Sequence, residues 1–402
     1  VVNQYTGEKW YYTDIVKDHF FNPRNLMLED PDESQYQAVG MVGSPACIEP
    51  LTLVFANPAL KSINTVVKGE KVLGHDSQYH AVERIFRAQY DKTKLVKIRN
   101  YLGEIVATPD HLIYAKQIPA TSTFRHNFYK KKIPSMWVHA GDLKRGDIAL
   151  YPLPSEIRKT GCITFSSQRG RWDFKSKFLP GKITITSELL EFFGYFIAEG
   201  STKKTEVSFV FSDKEMHLAK RVRELTKIIF NLDTAIRERK KNHRIDVAIY
   251  NVHLAKYVRE VFGYLAHNKK IPEFILFLEP RLQKGLLKGL WLGDGYFATW
   301  RSQPRAGFTT VSPTLFQQVI FLLLRQHIVP STFFERAKRI RGVSHQALFR
   351  VHVGDMGSLE RLADILGITF RSDSKKRHEV RVWFEDNFVC LPIKKTENVK
   401  FG

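Results

Sequence analysis

The stretch "SELLEFFGYFIAEGS" (residues 187–201) is apolar on nearly every side, sets Gly194 and Ala198 four apart, and ends on an acid followed by glycine. A second stretch, "RLQKGLLKGLWLGDGYF" (281–297), has the same design, with Gly285, Gly289 and Gly293 on one helical face. Small residues at that spacing let two helix backbones approach closely, which must offset a cost of about 1 kcal/mol for each glycine inside a helix. Packed along these faces, the helices bring Glu199 and Asp294 together at their C-terminal ends, with Gly200 and Gly295 as the expected C-caps. A carboxylate there opposes the helix dipole, and two such groups repel each other. A divalent cation removes both objections, and Mg²⁺ held by such a pair can activate water and stabilise the leaving oxygen of a phosphodiester.

Outward from these helices the pattern repeats. The first is followed by "EVSFVFS" and "KEMHLAKRVRELTKIIF", the second by "RAGFTTVS" and "TLFQQVIFLLLRQHI". The same helix–strand–helix order recurs at the spacing of Glu199 and Asp294, which predicts an internal pseudo-dimer in a monomeric chain. With 62 Lys and Arg against 41 Asp and Glu, the formal charge of +21 points to a polyanionic partner, with nucleic acid the first to suspect. Lys203, Lys204, Arg301 and Arg305 flank the expected strands and are the candidate DNA contacts.

At 402 residues the chain exceeds what one core usually fills. No apolar run approaches the ~18–20 residues that span a bilayer, so no membrane partner is expected. Three scattered cysteines encode neither a disulfide framework nor a zinc site, which suggests a reducing, cytoplasmic setting. Residues 1–46 read as a short helix, "YTDIVKDHF", followed by loops. Residues 47–153 read as short β-runs ("LTLVF", "INTVV", "KLVKI", "EIVAT", "HLIYA", "DIALYPL"), 154–180 as a linker or DNA-facing loop, and 181–372 as α/β. Residues 373–402 return to β-structure, as though the first β-domain resumed after an insertion. The opening "VVNQYTGEKW" and the closing "NVKFG" both read as cut ends, with a few tens of residues expected beyond Gly402.

"FFGYFIAEG" and "LKGLWLGDG" resemble the two signature helices of the LAGLIDADG (DOD-type) homing endonucleases. "NKKIPEFI" resembles that family's Lys-x-Ile-Pro block, and "FTTVSPTLFQQVIFLLLRQHI" the block after the second helix. The resemblance implies that Glu199 and Asp294 carry the metals and that Lys269 is the lysine near the scissile phosphates. Pro313 stands where the family often has a further lysine, which leaves open a cleavage-inactive DNA-binding remnant or a maturase-like module.

"CIEPLTLV", "GEIVATPDHLIY" and "WVHAGDLKRGDIALYPL" together resemble the Hint domain of inteins. The resemblance implies a multidomain chain: an all-β Hint domain interrupted by an α/β endonuclease pseudo-dimer and preceded by a short α+β host segment. It implies that Cys47 is the nucleophile that attacks the Ala46 carbonyl and converts that peptide to a thioester. His111 would protonate the departing amine and Thr108 would hold the scissile amide, with no cofactor for splicing. The DNA target would then be the intein-less host allele. "DIVKDHFFNPRN" with "VGSPAC" resembles the start of NifU/IscU-like iron–sulfur cluster assembly scaffolds, although Ile48-Glu49 replace that family's Gly-Asp.

Overall fold

The computed structural model describes residues 48, 53–55, 60–86, 95–120, 130–165, 177–300, 303–340, 343–370 and 382–399. Cys47, Arg301 and the host-like segment 1–46 lie outside the described residues. The chain divides into two units, 1–44 and 45–402, and every described residue belongs to the second.

Runs rich in β-branched and aromatic residues form the strands β1 (Leu95–Arg99), β2 (Glu104–Ala107), β3 (Leu112–Lys116), β4 (Met136–His139) and β5 (Ile148–Pro152). The expected strand "INTVV" instead makes a 3₁₀ turn at Ile63–Thr65, where Asn64 and Thr65 favour turn geometry.

Two α/β repeats follow. The first consists of α1 (Ser187–Glu199), β6 (Gly200–Thr202), β7 (Glu206–Ser212), α2 (Met216–Phe230), β8 (Ala235–Arg239), β9 (Arg244–Tyr250) and α3 (Val252–Phe262). The second consists of α4 (Pro280–Asp294), β10 (Gly295–Trp300), β11 (Gln303–Thr310), α5 (Pro313–Arg325), β12 (Ser331–Glu335), β13 (Leu348–Val353) and α6 (Met356–Leu366). Each repeat builds a four-stranded antiparallel sheet in the same order, β6-β7-β9-β8 and β10-β11-β13-β12. The Thr186 side chain accepts from the Leu189 amide and caps α1, while Pro280 and Pro313 sit in the first turns of α4 and α5, where no amide hydrogen is needed.

Helices α1 and α4 touch backbone to backbone. A Cβ on Gly289 would stand 2.1 Å from the Glu191 carbonyl oxygen, one on Gly285 2.2 Å from that of Ser187, and one on Gly194 2.3 Å from that of Leu286. Gly200 and Gly295 differ from left-handed caps: their φ/ψ are −80/141° and −92/174°, extended backbone that begins the next strand. Glycine is required there because a Cβ would press within 2.4 Å of the Phe196 carbonyl and 2.5 Å of the Trp291 ring. α1 is buried on all sides from Leu189 to Ile197. Its one central charge, Glu191, is 4% exposed and held by Arg221 of α2 through two hydrogen bonds of 3.1 and 2.9 Å. Lys288 of α4 stands 3.5 Å away.

Three closing strands, β14 (Trp383–Glu385), β15 (Phe388–Pro392) and β16 (Lys395–Val399), return to the first β-region. β15 pairs with β5, from Phe388 opposite Pro152 to Pro392 opposite Ile148, and β16 pairs with β1. The α/β repeats therefore lie between strands that pair with each other. Lys116 of β3, 1% exposed, donates to both Glu385 oxygens of β14 at 2.7 and 2.8 Å, so a buried lysine paired with a partly exposed glutamate ties the two chain segments together.

The described parts of 154–180 are anchored at several points between exposed residues. Ile163, Phe165 and Leu179 enter the main core, Arg158 donates its amide to the Phe277 carbonyl at 2.8 Å, and the buried Arg325 donates to the Pro154 carbonyl at 2.7 Å. Leu153, Val389 and Leu391 share that core with the α/β repeats. No helix among the described residues is long and apolar enough to cross a membrane.

Replacing Gly289 with Ala forces α1 and α4 apart, and overpacking of this kind costs about 1–3 kcal/mol. Denaturant unfolding should show that loss for Gly289→Ala and almost none for Gly181→Ala, whose Cβ would meet nothing within 4 Å.

Candidate metal centre and nucleic-acid interface

The paired helices end at one cleft of about 410 Å³, lined by Glu199, Gly200, Lys269, Asp294, Thr309 and Thr310 among others. Glu199 is half-buried. Burial, then the charges of Asp294 and Glu215, push its pKa up to about 7. Asp294 opens to water on the cleft side, yet the surrounding protein withholds enough hydration to push its pKa up to about 6, against the pull of Lys269. Lys269 thus offsets only part of the burial of Asp294, and the causes acting on Glu199 all favour its protonated form.

Lys269 is 4% exposed. Its ammonium donates to the carbonyls of Phe196 and Gly200 at 2.7 and 2.8 Å and lies 3.7 Å from the centroid of the Phe196 ring. It therefore caps the negative end of α1, and burial pushes its pKa down to about 7. The Ser312 hydroxyl donates to the Lys269 carbonyl at 2.7 Å, and Gln318 bonds both the amide and the carbonyl of Ile271 at 2.7 Å. Two sequence-distant blocks, "NKKIP" and "TVSP", are stitched together in this way, and Pro313 serves as the first turn of α5.

Glu199 and Asp294 offer hard oxygen donors of the kind that hold Mg²⁺, Mn²⁺ or Ca²⁺. Among the described residues no three His, Cys, Asp or Glu side chains gather as a metal site. An ion held by the two acids would complete its shell with water or substrate oxygens. The raised pKa values fit such an ion, which would favour both ionised forms.

Of the expected DNA contacts, Lys203 and Lys204 are exposed on the turn between β6 and β7, with Lys203 3.4 Å from Glu206, and Arg305 is exposed on β11 opposite Ala298. Thr108 and His111 sit apart from this cleft, in the turn between β2 and β3. Thr108 is fully buried, the His111 amide donates to its carbonyl at 3.0 Å, and the Ala140 amide donates to the His111 carbonyl at 2.8 Å. Ile48 bridges Ala107, the residue before Thr108. The Glu191–Arg221–Lys288 and Lys116–Glu385 clusters were not expected from sequence, since no local signal marks pairs that only the packed helices or the closing strands bring together.

Residues 187–262 and 281–367 match the LAGLIDADG-like domain family, and over them the chain has a LAGLIDADG-type α/β fold. The chain is 25% identical over 385 residues to uncharacterized protein MJ0043 of Methanocaldococcus jannaschii, covering 88% of this chain and 47% of that one. It is 26% identical over 390 residues to the ATP-dependent DNA helicase Hel308 of Thermococcus kodakarensis (88% and 34%). It is also 25% identical over 224 residues to a glutamine–fructose-6-phosphate aminotransferase of Methanocaldococcus jannaschii (54% and 20%). The chain thus spans less than half the length of each of these relatives. Among solved structures it is similar to I-DmoI in complex with DNA and Mn, at 14% identity and a TM-score of 0.34 over 46% of this chain and 100% of that one.

Without divalent cations, raised acid pKa values mean that the folded chain binds more protons than the unfolded chain between about pH 4 and 7. The contribution of Glu199 and Asp294 to stability is therefore fully present at the acid end and is lost as pH rises through their folded pKa values. Denaturant midpoints measured across this window in a chelator should decline less steeply for the Glu199→Gln/Asp294→Asn double variant than for the wild type.

Proposed function

We propose that the chain belongs to an intein-containing precursor and that its LAGLIDADG-type domain is a divalent-metal-dependent, site-specific DNA endonuclease. The observation that carries the nuclease half is the meeting of Glu199 and Asp294 in one cleft at the ends of two closely packed helices, both with raised pKa values. A cation bound there, Mg²⁺ in this proposal, would supply Lewis acidity and an activated water. The chain's own residues do the rest. Lys269 holds the end of α1 so that Glu199 faces the cleft, and Lys203, Lys204, Arg301 and Arg305 take the DNA backbone. The duplex is the uninterrupted host allele, cut on both strands by one monomeric pseudo-dimer.

The splicing half is supported by topology and by the relatives. The strands before and after the α/β repeats pair with each other, as they would around an inserted domain. Relatives with unrelated names, a helicase and an aminotransferase, share this segment as a minor part of their length, which suits a movable insertion. Ile48, the neighbour of Cys47, lies against the strand that leads to Thr108 and His111. In this reading residues 47–153 and 373–402 are the Hint halves, 181–372 the endonuclease, and 1–46 the N-terminal segment of an iron–sulfur scaffold host in the cytoplasm.

A second reading, a cleavage-inactive DNA-binding remnant, is favoured by two observations: Pro313 occupies a helix turn instead of offering a lysine, and the Lys269 ammonium is engaged by backbone carbonyls. Incubation with Mg²⁺ and a plasmid carrying the uninterrupted allele separates the two. The nuclease reading predicts a double-strand cut at one site, slowed about 100-fold or more in Glu199→Gln or Asp294→Asn. Binding without cutting supports the remnant.

For the splicing half, hydroxylamine should cleave a full-length precursor after Ala46. Cys47→Ala should abolish that cleavage, and His111→Ala should slow it by about 100-fold or more. Undiminished cleavage in Cys47→Ala would contradict the assignment.

A further inference from the structure

Strand register places rows of one four-stranded sheet in correspondence with rows of the other. Gly200 pairs with Phe209 and Phe209 with Val247, just as Gly295 pairs with Phe308 and Phe308 with Val351. Phe209, Val247, Phe308 and Val351 point into the core. By strand alternation, the adjacent row faces away from it. That row reads Ser201–Ser208–Ala248 in the first sheet and Tyr296–Gly307–His352 in the second.

The two rows differ in chemistry. In the first, the hydroxyls of Ser201 and Ser208 lie 2.9 Å apart. In the second, the Tyr296 ring crosses the strand above Gly307, where a Cβ would stand 2.5 Å from the ring, and its hydroxyl is 3.0 Å from His352 Nδ1. Tyr296 remains 43% exposed. Arg305 is exposed on the next outward row, and Arg350 stands one row to the other side, paired with Glu335 at 2.8 Å. Burial, followed by Arg350 and Arg305, holds the His352 imidazole below its ordinary pKa, so near neutral pH the ring keeps one N–H donor and one acceptor.

We propose that Tyr296 and His352, seated by Gly307, are specificity-determining residues that read the base steps next to the cleavage centre in one half of the DNA target. The inference rests on the nuclease reading above and deepens it. An exposed aromatic ring can stack on or wedge between bases, and a neutral imidazole can bond to base edges. Tyr296 follows Asp294 by two residues, about 7 Å of strand, which corresponds to about two base steps of duplex. The exposed Arg305 supplies positive charge beside them for the duplex. The first sheet presents only two serines and an alanine at the matching row, so the other half-site is read there by different contacts.

The test is selection from a randomised duplex library in Ca²⁺ with the full chain, followed by sequencing. The wild type should enrich one asymmetric sequence. Tyr296→Ser/His352→Ala, which installs the first sheet's residues, should lose preference by about tenfold at the positions flanking the centre in one half only. Gly307→Ser keeps both side chains but displaces the ring. It should show the same one-sided loss and serves if the double variant fails to fold. Tyr296→Phe, which keeps the ring, should lose less. Unchanged preference in the folded variants, or a loss spread equally over both halves, overturns the assignment. Failure of the wild type to enrich any sequence overturns it together with the nuclease reading, whereas a one-sided result in a chain that never cuts leaves the specificity assignment standing and removes only the cleavage.

Discussion

Everything at the candidate metal centre depends on the backbone contact between α1 and α4. At Gly194, Gly285 and Gly289 a Cβ would fall 2.1–2.3 Å from a carbonyl oxygen of the facing helix, and at Gly293 2.5 Å from the Ala198 Cβ, so no larger residue fits without separating the pair. That separation would move Glu199 away from Asp294, because each is the last residue of its helix. The closeness that makes the site also makes it costly. Two carboxylates meet at the negative ends of two helix dipoles, and both hold their protons more tightly than usual. Lys269 offsets part of this cost by bonding the exposed carbonyls of α1, and a bound cation would offset the remainder.

Around that contact, buried charges act as connectors. Glu191 in the middle of α1 is reached by Arg221 of α2 and Lys288 of α4, so one acid links three helices. Arg325 of α5 bonds the carbonyls of Pro154 and Leu278 at 2.7 and 2.9 Å, fastening the segment that leads out of the β-region to the α/β repeats. Lys116 and Glu385 do the same within the β-region, across 269 residues of sequence. Glu191 and Lys116 are the buried members of their pairs, and removing the partner of either strands a charge in the interior, typically costing several kcal/mol. The β-region and the α/β repeats are accordingly held together by specific bonds as well as by a shared core.

The α/β fold was legible because its determinants are local and repeated. Small residues four apart, an acid–glycine ending and the same following strand and helix recur at a fixed interval, and the helices formed where that pattern lay. The two acids were legible for the same reason, since each ends its own helix. Lys269 was legible as a residue but not in its contacts: nothing in "NKKIP" says that its ammonium would face the carbonyls of a helix some 70 positions earlier. Gly200 and Gly295 were expected as C-caps and stand there, but with extended backbone, where glycine serves close approach to the preceding turn. The Tyr296–Gly307–His352 row was invisible in sequence because it exists only across three paired strands, and nothing in the polar, basic composition around them marked Ile163 and Phe165 as core residues.

The central claim is that Glu199 and Asp294 act together as one cation site. Mn²⁺ titration of the free chain, followed by loss of the aqueous ion's paramagnetic resonance signal, tests it most directly. The account predicts saturable uptake by the wild type at neutral pH, weakened on acidification through pH 6 and abolished by Glu199→Gln and by Asp294→Asn individually. Uptake that persists unchanged in both single variants would contradict it.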